Sequence, residues 1–159
     1  MREPTYFWED FQPGSVREAQ RAPITKAEIL DFAAEFDPQV FHLDEEAATA
    51  SLLGGLCASG WHTCALMMRL MCDTYILDSA SLGAPGVEEV RWLKPLFVGD
   101  ALTVRSTCLA TRPSASRPDM GLAQFQWQGF NQHGQEIVTL RSWAMFRRRT
   151  PAAAPGSAA

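Results

Sequence analysis

Between Lys26 and Phe36 the apolar residues Ile29, Leu30, Phe32, Ala33 and Phe36 recur at helical spacing, which predicts an amphipathic helix with one buried face. Thr25-Lys26-Ala27-Glu28 matches a capping box at its start, with the threonine hydroxyl accepting the Glu28 amide while the glutamate reaches back. Asp37-Pro38 should end it, because proline disfavours the α conformation in the residue before it. Asp44 can cap a second short helix from Glu45 to about Leu52, which Gly54-Gly55 breaks. A third helix is expected from near Ser59 to about Leu77. Trp61, Ala65, Leu66, Met68, Leu70, Met71, Cys72 and Tyr75 surround nearly its whole circumference. A helix apolar all round has to be enclosed by protein on most sides.

From Val87 onward the period changes from helical to alternating. Val87 to Phe97, Ala101 to Thr111, Gly121 to Phe130 and Glu136 to Arg147 read as four strands. Phe125-Gln126-Trp127-Gln128 is the cleanest alternation, and it implies one buried face. Gly99-Asp100 and residues 131–135 supply tight connections, so neighbouring strands are expected to be antiparallel. Tyr6 to Phe11 reads as a short strand or extended arm before the Pro13-Gly14 turn, and Ser15 to about Ala22 as another extended stretch. Early helices followed by a meander predict an α+β fold. The expected organisation is one domain over residues 1–150, an antiparallel sheet wrapped around the long helix, then a disordered tail over 151–159.

The chain has 159 residues, enough for one domain that builds its core without staples. Its net charge is −4, from 14 basic and 18 acidic residues, which gives no electrostatic case for nucleic acid or an anionic membrane as a partner. No apolar run reaches the roughly 18 residues that span a bilayer, and the first residues lack the apolar core of a signal peptide, so a cytoplasmic domain is expected. Cys57, Cys64, Cys72 and Cys108 form no Cys-x-x-Cys pair and have no histidine at zinc-ligand spacing. They read as small core hydrophobes, with no metal site expected.

The stretch richest in chemistry is Phe36-Asp37-Pro38-Gln39-Val40-Phe41-His42-Leu43-Asp44, which puts an acid, an amide and an imidazole in a loop between two helices. No regular helix places Asp37 and His42 on one face, but a turn after Pro38 folds them together. An aspartate beside a histidine orients the ring, tunes its basicity and shares the protons of a water. By spacing alone, a helix-ending aspartate and a satisfied core histidine are the simpler reading.

This segment, with Ala48 after it, resembles the hydratase motif of the MaoC-like dehydratases and (R)-specific enoyl-CoA hydratases. Leu56-Cys57-Ala58-Ser59-Gly60-Trp61-His62 and Arg91-Trp92-Leu93-Lys94-Pro95-Leu96-Phe97-Val98-Gly99-Asp100 fit the same family, and the three stretches cover about Phe36 to Leu102. The resemblance implies a hot-dog fold and reversible addition of water across a 2-enoyl-CoA or similar thioester. It implies that Asp37 and His42 activate the water and that the Gly60 backbone amide holds the thioester carbonyl. Such an amide suits that task, since a helix N-terminus favours developing negative charge. Gln39, Ser59, Trp61 and His62 are candidates for lining the substrate, and Arg91 and Lys94 for meeting the phosphates of coenzyme A. A homodimer or higher homo-oligomer is implied, with no cofactor beyond the coenzyme A of the substrate.

Two residues depart from the motif. Gln39 stands where asparagine is usual and Val40 where proline is usual. Gln39 still donates and accepts on a longer arm, while the loss of proline removes pre-organisation. Two other functions share the fold: a hot-dog thioesterase, and a non-catalytic acyl-CoA-binding subunit. The first is disfavoured because Ser59 to Met71 contains no acidic residue.

Overall fold

The computed structural model describes residues 3–151, and its strands are β1 (Val16–Arg21), β2 (Ser81–Trp92), β3 (Leu102–Pro113), β4 (Met120–Phe130) and β5 (Glu136–Arg147). They form one antiparallel sheet in the order β1-β3-β4-β5-β2. β3, β4 and β5 pair as consecutive neighbours, with Val104 opposite Gly129 and Gly129 opposite Val138. The expected pairing across Gly99-Asp100 is corrected. β2 crosses over to pair with β5, Val90 opposite Leu140, and residues 93–100 form a connection instead of the end of a strand.

One face of the sheet is built for burial. Leu102, Val104 and Cys108 of β3 alternate with Phe125 and Trp127 of β4 and Val138 and Leu140 of β5 in a single buried cluster. Full burial of a side chain of this kind stabilises by about 1.5–3 kcal/mol. Among the described residues four α-helices accompany the sheet: α1 (Lys26–Phe36), α2 (Val40–Leu43), α3 (Glu45–Ala50) and α4 (Gly60–Met71). Met67 and Met71 of α4 are fully buried in the sheet cluster, and Tyr75 joins them from the π-helical turn Cys72–Ile76 that extends α4. Under the helix, Gly129 makes room for its strand neighbours, since a β-carbon there would come 2.6 Å from the Val138 side chain and 3.2 Å from that of Leu102. This is the sheet-on-helix arrangement that the hot-dog resemblance implies.

Three further expectations are revised. The described residues enclose only one side of α4, because Trp61 is 61% exposed and Met68 47% exposed. Phe36, expected on the buried face of α1, is 64% exposed and packs its ring beside Phe32 at 5.0 Å. The arm before Pro13 is a 3-10 turn over Trp8–Asp10, because the Asp10 carboxylate takes the Phe7 amide at 2.7 Å and bends the chain. That turn also engages the arginines just past β5: Arg149 pairs with Asp10 at 2.7 Å, and the Arg148 guanidinium lies 5.0 Å from the Trp8 ring. The tail lies outside the described residues from 152 on. Cys57 and Cys108 are buried, Cys64 and Cys72 half-buried, and all four are free thiols. Among the described residues no helix is long and apolar enough to cross a membrane.

Candidate active site

α1 stops where the Asp37 amide donates to the Ala33 carbonyl at 3.0 Å, with Pro38 barring another turn. The chain then doubles back. The Gln39 amide donates to the Asp37 carbonyl at 2.8 Å, and the His42 amide to the Gln39 carbonyl at 2.9 Å, winding the single turn of α2. Pattern reading misses α2 because four residues are too few to display a period. That turn brings His42 Nε2 to 3.6 Å from Asp37 Oδ2, too long for a direct hydrogen bond.

The far side of the imidazole is anchored. His42 Nδ1 lies 2.9 Å from the Cys57 carbonyl, so the neutral ring carries its proton on Nδ1 and leaves the Nε2 lone pair facing Asp37. The carbonyl is itself fixed, because Cys57 bridges to Phe97 and the Ala58 amide donates to the Leu96 carbonyl at 2.8 Å.

Both oxygens of Asp37 accept hydrogen bonds. Ser59 Oγ donates to Oδ2 at 2.6 Å and Gln39 Nε2 donates to Oδ1 at 2.7 Å. The Ser59 hydrogen bond most strongly, then that of Gln39 and the nearby His42 ring, hold the carboxyl below its ordinary pKa against the opposing effect of burial. Ser59 is also the N-cap of α4, accepting the Trp61 amide at 3.3 Å, so one hydroxyl joins the acid to the start of that helix.

Gly60 follows as the first residue of α4, where an amide has no acceptor inside the helix. A β-carbon at Gly60 would come 2.5 Å from the Trp92 indole, so glycine is what lets Trp92 pack against this residue. An open cleft of about 470 Å³ runs past these groups. Asp37, Gln39, His42, Ser59, Gly60, Trp61 and Lys94, all candidates from the sequence, line it.

Two expected residues do not reach the cleft. His62 is absent from its lining and stacks on Phe32, ring centroids 4.4 Å apart and planes 4° apart, because its position on α4 faces α1. Arg91 is absent too, and pairs with Glu89 at 2.7 Å on the outside of β2. Sequence reading singled out none of Cys57, Thr63 and Trp92 for the substrate site, although all three line the cleft. Cys57 acts through its carbonyl, which no side-chain identity marks. Among the described residues no group of His, Cys, Asp and Glu is arranged to hold a metal ion.

Chemically the arrangement can hold a water. The Nε2 lone pair and Oδ2 are both acceptors, so a water between them can donate one hydrogen to each and turn its oxygen toward the cleft. Gly60, at the positive end of α4, lines the same cleft.

Residues 10–122 match the family model for the MaoC like domain. The Bacillus subtilis protein named "Uncharacterized protein YdeM" is 27% identical over 124 residues, covering 78% of this chain and 86% of that one. Mesaconyl-CoA hydratase of Cereibacter sphaeroides is 36% identical over 68 residues, 43% of this chain but only 20% of that one, so this chain spans a small part of that relative's length. The crystal structure of the MaoC-like dehydratase from Rhodospirillum rubrum superposes with a TM-score of 0.84 at 42% identity, covering 91% of this chain and 99% of that one. With the family model matched over most of its length and a structural relative matched from end to end, this chain belongs to the MaoC-like domain family.

Proposed function

We propose that this protein is a hydro-lyase that adds water to, or removes it from, a 2-enoyl thioester of coenzyme A. The observation that carries the reading is the convergence of Asp37 and His42 across 3.6 Å, at a cleft that Gly60 also lines. The mesaconyl-CoA hydratase of Cereibacter sphaeroides is named for the same class of chemistry, which supports the reading.

In the hydration direction the thioester carbonyl accepts the Gly60 amide hydrogen, which drains electron density from the double bond. The water held by His42 and Asp37 attacks C3, forming the C–O bond as the π bond opens toward C2. Charge collects on the carbonyl oxygen as an enolate, where the start of α4 stabilises it. The proton that the water gives up passes through the His42–Asp37 pair to C2, so hydrogen and hydroxyl both come from one water. Asp37, kept ionised by Ser59 and Gln39, balances the positive charge that His42 carries in transit. Lys94 is the cation of the cleft suited to a coenzyme A phosphate. No metal or redox group is needed for these steps.

A second copy of the chain completes the unit in this reading. Trp61 and Met68 expose one side of α4, and β2 ends the sheet with an unpaired edge bearing exposed Leu82 and Val87. Open apolar edges of this kind are ordinarily paired or covered.

The test is a panel of short, long and branched 2-enoyl-CoAs, followed by loss of the conjugated-thioester absorbance. Hydration of at least one is expected, and no change with any of them would contradict the reading. Release of free coenzyme A thiol from saturated acyl-CoAs would favour thioester hydrolysis instead.

A further inference from the structure

His62 is a buried ionisable side chain that the proposed chemistry leaves unused. It is 6% exposed, and among the described residues its Nδ1 is buried without a hydrogen-bond partner. Buried polar atoms are nearly always paired, so an orphaned one calls for an explanation.

Its position supplies one. His62 is the third residue of α4, just past the Ser59 cap and the Gly60 amide. Phe32, on which its ring lies flat at 4.4 Å, stands one turn inside the end of α1 that delivers Asp37. The stack therefore ties together the two helices whose ends meet in the Ser59–Asp37 hydrogen bond of 2.6 Å. The stacked ring sets how far apart those ends stand.

A charged imidazole does not suit this place. The charged groups that face it are Glu28 on α1 and Arg21 at the end of β1, and these pair with each other at 2.6 Å. The ring also sits in the first turn of α4, where the helix dipole opposes a cation. Burial accordingly pushes the His62 pKa below its ordinary 6.5, with Arg21 adding to the effect and Glu28 opposing it.

We propose that His62 is a positioning residue: as a neutral ring stacked on Phe32 it holds the end of α1 against the start of α4, fixing the Asp37–Ser59–Gly60 geometry, and as a cation it releases that contact. The turnover part of this proposal rests on the hydratase reading, and the stability part stands without it.

The sign follows from linkage. The unfolded chain takes up a proton at His62 near pH 6.5 while the folded chain resists it. Stability from this residue is thus complete above about pH 6.5 and is lost as pH falls toward the lower folded value, by up to about tenfold in the folding equilibrium per pH unit.

The experiment compares wild type, His62→Phe, His62→Ala and Phe32→Leu. Histidine-labelled NMR of the wild type should show one ring, absent from His62→Phe, titrating below the ordinary value. Thermal unfolding at pH 7.5 and pH 5.5 should show a smaller acid-induced fall for His62→Phe than for wild type. With an enoyl-CoA substrate, His62→Ala should lose at least about tenfold in kcat with KM little changed, and His62→Phe should recover most of that loss. Wild type should show a steeper acid fall in kcat than His62→Phe. A His62 ring that titrates at or above its ordinary value, or equal acid sensitivity in wild type and His62→Phe, would overturn the proposal. So would undiminished kcat in His62→Ala. Should His62→Ala not fold, Phe32→Leu carries the same comparison from the other side of the stack. If wild type hydrates no enoyl-CoA, the hydratase reading fails, and the NMR and unfolding measurements still decide the role of His62.

Discussion

Gly60 lines the cleft and packs against the Trp92 indole, so any side chain there has to displace a ring. Gly60→Ala should destabilise by about 1–3 kcal/mol, the usual cost of overpacking, and lower turnover by shifting the amide. Trp92→Ala in the same chain should restore much of the stability in thermal unfolding, which separates steric strain from loss of helix structure. Val40 offers the opposite case. It opens α2, where an amide needs no intrahelical acceptor, and Gln39 before it already has the extended backbone that precedes a proline, at φ −75° and ψ 138°. Val40→Pro should stabilise by about 0.4–1 kcal/mol in denaturant unfolding, with turnover preserved. At this scale the motif residues Asp37 and His42 are legible in the sequence. Their supports are legible only in part, because Ser59 reads mainly as a cap and the Cys57 carbonyl leaves no mark in a side-chain pattern.

At the level of elements, α1 shows what local chemistry determines. Thr25 and Glu28 form the reciprocal cap that their spacing predicts, and Ile29 and Ala33 are buried. Thr25→Ala should cost about 1 kcal/mol, measured by denaturant unfolding. The Thr25 amide first, then Arg21, hold Glu28 down to a pKa of about 2. Its contribution to stability is therefore present above its ordinary value of 4.5 and is lost as pH falls from there toward about 2. Glu28→Gln should flatten the unfolding curve across that window, and an unchanged acid profile would show that the cap does not depend on charge. Phe36 belongs to the same apolar stripe yet is exposed, with its ring beside Phe32. Alternation starts β2 several residues late: its Gly83, Ala84, Pro85 and Gly86 carry no alternating pattern, and pairing with β5 makes them a strand.

Across the whole molecule, the sheet order is the feature least visible in the sequence. Whether β2 pairs with β3 or crosses to β5 depends on contacts between residues about 50 apart, and no local pattern encodes that choice. The wrapped helix is visible, since α4 is apolar around its circumference, but part of that apolar surface faces outward at Trp61 and Met68. If a second copy covers it, light scattering should give at least twice the mass of one chain. Met68→Lys should then shift the protein toward monomer and reduce turnover together. A wild-type monomer with full activity would contradict that part of the account.

In the proposed mechanism Asp37 and His42 work as one unit on a single water. The most direct test is kcat/KM for hydration of a short enoyl-CoA by wild type, Asp37→Asn, His42→Ala and the double variant, each checked for folding. Each single change should cost about 10²–10⁴-fold, and the double variant should be little worse than the poorer single one. Losses that multiply, or single variants that keep wild-type turnover, would contradict the account.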